Sequence, residues 1–154
     1  MKATVVGSPS IPSIVIGVAG GIATSLFGGC TQAMVTLLIC MGIDYVTGLL
    51  VAGVFKNSKK SKTGGLESRA GWKGLCRKGV TLLFVLIGHQ LDMALGVGYI
   101  RDSIVIAYIV MEIISIKENA QLMGIPVPPI LDKAIDLLNF KAKGPQQEEE
   151  KKNE

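Results

Sequence analysis

An apolar run extends from Thr31 to Phe55 and reads TQAMVTLLICMGIDYVTGLLVAGVF, with Asp44 as its one charged side chain. It continues an uncharged stretch that begins at Ala3, so that 41 residues, 3–43, pass without a charge. Because a hydrocarbon core about 30 Å thick needs roughly 20 helical residues to cross it, this stretch is long enough for two crossings or most of two. The sequence therefore predicts an integral membrane protein.

A dense basic segment follows, in which eight cations stand against one anion, Glu67. The cations are Lys56, Lys59, Lys60, Lys62, Arg69, Lys73, Arg77 and Lys78. Positive clusters next to apolar segments stay in the cytoplasm, so we expect a cytoplasmic basic loop that fixes the orientation and can touch anionic lipid headgroups. Nucleic-acid binding is disfavoured, because Trp72 is the only aromatic side chain among these cations.

Composition points to one helical membrane unit. The chain has 154 residues, 49% of them hydrophobic and 18% charged, which is too apolar for an ordinary small soluble protein. Its three cysteines form no CxxC pair and are expected to be free thiols.

We predict an all-α integral membrane protein with three to four transmembrane helices in a single domain over residues 1–140. The predicted helices cover residues 12–27, 31–55, 80–97 and 103–122, followed by a short amphipathic helix over 130–140 and a charged, disordered tail over 141–154. Four crossings place both termini in the cytoplasm. Three crossings leave the first or the fourth segment in the interface, and the fourth is fully apolar only until Met111. The first segment is expected to be an uncleaved helix rather than a signal peptide, because Lys2 is a weak n-region.

Small residues recur at helical spacing on two of these segments. Gly17 and Gly21 share a face of the first, and Gly48 and Ala52 share a face of the second with Asp44. Such faces let helices approach closely in lipid, which makes them candidate oligomerisation surfaces. The alternative for the first segment is a merely flexible helix.

Carboxylates occur in three of the apolar segments, as Asp44, Asp92 and Glu112. An ionised carboxylate at mid-bilayer costs on the order of 2.5–3.5 kcal/mol, so these groups need partners, protonation or water. His89 and Asp92 are three residues apart on the same helix and share a face, which permits a hydrogen bond between them. Glu112, Ser115 and Asn119 form a further polar strip. These faces would be buried in an oligomer or line water; the alternative is that the carboxylates lie near the headgroups and are simply hydrated.

Catalysis has little support. The chain holds no HExxH, GxSxG or GxxxxGK[ST] motif and only one histidine, so neither an enzyme nor a metal or other cofactor is expected.

Two blocks of sequence carry a family resemblance. The first is the run 44–52, DYVTGLLVA, followed by the lysine-rich segment and then by residues 71–78, GWKGLCRK. The second comprises Tyr108, the E-x-x-S-I-x-E-N pattern from Glu112 to Asn119, Leu122, the turn GIPVP over 124–128 and Leu131. In order and spacing the two blocks resemble the phage holins related to the clostridial toxin-secretion holin, over about residues 44–138.

The resemblance implies a multi-pass protein of the bacterial host's cytoplasmic membrane that forms homo-oligomeric lesions. Endolysin, or a toxin, leaves through the lesions without obligatory direct contact, and the host lyses. Membrane lipid and further copies of the chain are the implied partners, an antiholin is a further candidate, and nucleic acid is not implied. Two alternatives stay open: an antiholin or another regulatory membrane protein that opens no pore, and a small transporter or intramembrane enzyme.

Overall fold

The computed structural model describes residues 11–58, 65 and 67–142. In that part of the chain all regular structure is helical, as predicted. The helices are α1 (Ile11–Leu26), α2 (Gln32–Gly53), α3 (Ser68–Leu95), α4 (Ile100–Leu122) and α5 (Ile130–Ala142). The chain divides into two compact units, Met1–Cys30 and Thr31–Glu154. Lys59, Lys60, Lys62 and the predicted tail beyond residue 142 lie outside the described residues.

The first unit contains α1, an uncharged helix of 16 residues. It ends where the Gly29 N–H donates to the Thr24 carbonyl at 2.7 Å. Gly17 and Gly21 have open space where a Cβ would lie. The small-residue face predicted on this helix is therefore unoccupied within its unit.

α2 begins at the N-cap Thr31, whose hydroxyl accepts a hydrogen bond from the Met34 N–H. Its 22 residues span about 33 Å at 1.5 Å per residue. Met34, Leu37, Met41, Asp44 and Val51 recur at helical spacing and are buried on one face. Large apolar side chains cover the other faces and are exposed, an arrangement that suits contact with lipid.

α3 begins at Ser68, twelve residues before the predicted start at residue 80. Residues 68–79 were assigned to the loop because they hold four cations and are rich in glycine. The helix continues through Gly71, Gly74 and Gly79 because good helix formers surround them and Lys78 is held by ion pairs to α2 and α4. Arg69, Lys73, Arg77 and Lys78 are therefore helical rather than in a loop. The helix ends at Leu95, where Gly96 takes a left-handed conformation at φ 66°.

Of the described helices, α2 and α3 are long and apolar enough to cross a membrane. α4 packs against both of them, whereas α2 and α3 touch each other little. At one end of the bundle Arg101 donates to the Thr31 hydroxyl. At the other end Asn57 donates to the Leu122 carbonyl at 3.2 Å. α4 thus runs parallel to α2 along its whole length.

A close contact joins α3 to the first turn of α4. A Cβ on Gly88 would lie 2.7 Å from Ile104 Cδ1 and 3.1 Å from Arg101 Cα. Glycine is therefore required for these two helices to approach as they do.

A turn through residues 123–129 leads into α5, which packs on α4. Lys117 of α4 and Asp132 of α5 form an ion pair across this contact. Lys141 and Ala142, assigned to the tail from sequence, form the last residues of α5.

Candidate functional site

A lysine on α3 binds two carboxylates from two other helices. Lys78 Nζ lies 2.9 Å from Asp44 Oδ2 on α2 and 2.5 Å from Glu112 Oε2 on α4. Each of the three side chains is only 11–12% exposed. One ammonium group therefore links all three helices of the bundle.

Asn119 extends this arrangement by two helical turns along α4. Its Nδ2 donates to Asp44 Oδ1 at 3.1 Å and to Thr47 Oγ1 at 3.0 Å. Both oxygens of the Asp44 carboxylate are thereby engaged, one by Lys78 and the other by Asn119. We call Asp44, Thr47, Lys78, Glu112 and Asn119 the polar cluster.

Helical spacing explains how the sequence brings these groups together. Asp44 and Thr47 are three residues apart on α2, and Glu112 and Asn119 are seven apart on α4, so each pair shares a face. The α2 and α4 faces meet because the two helices pack side by side. Lys78 reaches the α4 strip from α3 because α4 also contacts that helix.

The charges of the polar cluster sum to −1, with one ammonium group and two carboxylates. Buried ions of this kind are tolerated only when paired and hydrogen-bonded, since removing one partner typically costs about 3–5 kcal/mol. The arrangement keeps three charged groups away from the apolar exterior of α2 and α3.

A cleft of about 310 Å³ opens among α2, α3 and α4, and Asp44, Lys78 and Glu112 of the polar cluster form part of its wall. Small residues form much of its walls, with Gly48 and Ala52 on α2 and Gly71 and Gly74 on α3. Because these residues have little or no side chain, the cleft stays open. A Cβ on Gly48 would have only Asn119 Nδ2 nearby, at 3.8 Å. Ser115, from the predicted polar strip, also lines this cleft.

Asp92 makes its hydrogen bonds to the backbone at the start of α4. Its carboxylate accepts the backbone N–H groups of Ile100 and Arg101, both at 2.9 Å, and so caps the first turn of α4. No hydrogen bond joins it to His89 among the described residues. The backbone N–H groups exposed at the start of α4 are better placed donors than a side chain on the same helix.

The candidate residues thus separate into three places. Asp44, Glu112 and Asn119 meet in the polar cluster, with Gly48, Ala52 and Ser115 along the cleft. His89 and Asp92 lie towards the opposite end of α3. Gly17 and Gly21 belong to the first unit.

Sequence reasoning misassigned Lys78 and did not single out three other residues, one of which is Thr47 of the polar cluster. Lys78 was counted with the basic loop, although a lysine at the edge of an apolar run was a possible partner for the carboxylates of the other segments. Arg101, which is buried, and Gly88, at the close helix contact, were not singled out. Nothing in their local sequence marks them, because both depend on how α3 meets α4.

Residues 21–139 match the bacteriophage holin family. The chain belongs to this family. The match extends from α1 to α5 and includes every residue of the polar cluster, and it confirms the resemblance to phage holins inferred from sequence. The family is not an enzyme family, and together with the apolar α2 and α3 it indicates a membrane protein.

Individual relatives agree with this assignment. An uncharacterised protein of Listeria monocytogenes is 38% identical over 132 residues, which cover 84% of this chain and 86% of the relative. A 14.9 kDa protein of Clostridium perfringens, encoded in the nagH 3′ region, is 35% identical over 79% of this chain and 88% of its own length. A probable holin of Bacillus phage phi105 is 28% identical over 76% of this chain and 82% of its own length. No solved structure matches the chain.

Proposed function

We propose that this holin-family protein assembles in the bacterial cytoplasmic membrane into lesions that release an endolysin, or a toxin, and lead to host lysis. Family membership and the probable holin of phage phi105 support the proposal. The observation that carries it is the polar cluster, which holds three charged groups between helices whose outer faces are apolar. A chain of this kind can accumulate in lipid with its charges enclosed.

The mechanism follows from the cost of separating these charges. While the bundle is closed, Lys78 is neutralised by Asp44 and Glu112. If α2 and α3 part during assembly, the cluster loses its internal partners and needs water in their place. An oligomer that turns these faces towards a common water-filled space supplies that water, so pore opening and exposure of the cluster are coupled.

Three crossings, by α2, α3 and α4, agree best with this mechanism. α2 and α3 are apolar enough to cross, and α4 runs beside α2 from Thr31 to Asn57. α4 carries five charged side chains, as many as the longer α3, but Glu112 and the polar Asn119 are held in the polar cluster. With the basic segment in the cytoplasm, the end of α4 and α5 are cytoplasmic too.

Small-residue surfaces are the proposed contacts between copies. Gly48 and Ala52 line the open cleft on α2, and Gly17 and Gly21 leave a face of α1 uncovered. Both surfaces would admit a helix of another copy at short distance, which is how helices associate in lipid.

Inducible expression in a bacterium tests the proposal. Membrane potential and optical density would be followed with and without a co-expressed endolysin that lacks a signal sequence. Sudden depolarisation, with lysis only when both proteins are present, is the expected result. Accumulation of the protein in the membrane with the potential intact would contradict pore formation and favour an antiholin.

A further inference from the structure

The apolar residues of α5 lie on two faces rather than one. Leu131, Ala134, Ile135 and Leu138 are half-buried, and α4 is the helix on which α5 packs. Ile130, Leu137 and Phe140 remain 65%, 71% and 53% exposed. The contact with α4 therefore uses only part of the apolar surface predicted for this helix.

The exposed residues form a strip with a distinct charge. Ile130, Leu137 and Phe140 follow one another at spacings of seven and three, so they lie along one side of α5. The exposed Lys133 and Lys141 fall on this same side. We call these five residues the outer strip of α5.

The acidic side chains of α5 lie beside this strip. Asp132 is paired with Lys117 of α4, and the exposed Asp136 follows Lys133 by three residues and precedes Phe140 by four, so it borders the strip. The outer strip thus combines large apolar side chains with two lysines, against one aspartate at its edge. This pattern is typical of helices that lie in the interface of anionic membranes.

The position of the outer strip in the bundle also favours contact with the membrane surface. α5 follows the end of α4 that lies beside Asn57, at the start of the basic segment. Under the proposed topology, on which this inference rests, that end faces the cytoplasmic leaflet, where anionic lipids attract lysine.

We propose that α5 is an interfacial anchor whose outer strip binds the anionic surface of the cytoplasmic leaflet. Ile130, Leu137 and Phe140 enter the boundary between headgroups and acyl chains, and Lys133 and Lys141 contact lipid phosphates. A second copy of the chain is a poorer occupant, because three apolar side chains are far fewer than the roughly 20–30 residues a side of a stable protein interface.

Fluorescence quenching in vesicles tests this proposal on the full chain. Cys30, Cys40 and Cys76 would be replaced by serine, and a fluorophore attached through Leu137→Cys. In vesicles of phosphatidylglycerol and phosphatidylcholine, acyl-chain brominated lipid should quench this label strongly. The same label attached through Asn139→Cys, on the polar side, should be quenched much less.

The dependence of quenching on charge distinguishes binding of α5 to anionic lipid from mere proximity to the membrane. Each lysine near an anionic surface should favour the docked helix about fivefold, so Lys133→Gln with Lys141→Gln should lower the docking equilibrium about 25-fold. Vesicles of phosphatidylcholine alone should weaken quenching similarly. Equal quenching at positions 137 and 139, or quenching independent of lipid charge, would overturn the proposal, as would efficient crosslinking of Leu137→Cys between copies.

A fluorophore on α2 distinguishes failure of the anchor proposal from failure of the proposed function. Ile39 is 56% exposed in the apolar part of α2, and Ile39→Cys should be quenched by brominated lipid whether or not α5 docks. Quenching at position 39 without quenching at 137 would reject only the anchor. Absence of quenching at position 39 would reject the membrane topology, and the proposed function with it.

Discussion

The ion pair between Asp44 and Lys78, at 2.9 Å, joins α2 to α3, two helices that otherwise touch little. The cleft opens beside this pair, so the ion pair connects two helices that side-chain packing leaves apart. The stability of the closed bundle and the proposed opening thus depend on the same few atoms.

Replacing Lys78 by methionine should open the bundle too early. The change leaves the Asp44 and Glu112 carboxylates without their shared cation, at a cost of about 3–5 kcal/mol. We expect depolarisation sooner after induction and a lower Tm in detergent. Arg69→Met is the control, because Arg69 is an exposed cation of the same helix and does not line the cleft. Equal effects of the two changes would argue against a special role for Lys78.

Asp44→Asn should shift the triggering time less than Lys78→Met. Asparagine keeps the size of the side chain, and Glu112 still neutralises Lys78. Because the two residues are in contact, the double variant should depart from additivity by about 0.5–3 kcal/mol in the free energy of unfolding. Denaturant titration of the purified single and double variants measures this coupling, and additive effects would show that the pair contributes nothing.

Gly88→Ala should destabilise the bundle by about 1–3 kcal/mol, because the new methyl group would overlap Ile104 and approach the Arg101 backbone. Gly79→Ala, also within α3, meets nothing within 4 Å. It should be neutral or stabilise by about 0.5–1 kcal/mol. Thermal unfolding in detergent compares the two variants, and a similar loss of stability in both would mean that α3 and α4 do not approach closely at Gly88.

Gly48→Leu should impair oligomer formation while leaving the single chain folded. A Cβ at this position meets Asn119 only at an ordinary contact distance, but a leucine side chain would fill part of the cleft. Gly42→Leu, on α2 where no neighbour lies within 4 Å, is the control. Chemical crosslinking in membranes should show fewer oligomers for Gly48→Leu alone. Unchanged crosslinking would remove the cleft from the assembly surface.

Reporter fusions should place residue 142 in the cytoplasm and the turn at Gly98 outside. If α2, α3 and α4 all cross, green fluorescent protein fused after residue 142 fluoresces, and alkaline phosphatase fused after Gly98 is active. If α4 does not cross, the two positions lie on the same side of the membrane. Phosphatase activity at both positions would therefore refute the third crossing.

The helices and the carboxylates could be identified from sequence, because uncharged length and helical spacing are local properties. The start of α3 could not be identified, since residues 68–79 combine four cations with three glycines, and local propensity does not favour a helix there. The partners of the carboxylates could not be predicted from sequence either. Lys78 lies 34 residues from both Asp44 and Glu112, and the donors to Asp92 are backbone N–H groups of the next helix, which side-chain spacing along α3 does not reveal.

The central place of α4 has a consequence for biosynthesis. α2 and α3 leave the ribosome first, yet they touch each other little and each makes its main contacts with α4. Until residue 122 has been synthesised, Asp44 and Lys78 have neither Glu112 nor Asn119 to complete their hydrogen bonds. If the three helices cross the membrane as proposed, the hairpin of α2 and α3 lacks these partners until α4 enters the bilayer, and entry of α4 is expected to coincide with closure of the bundle.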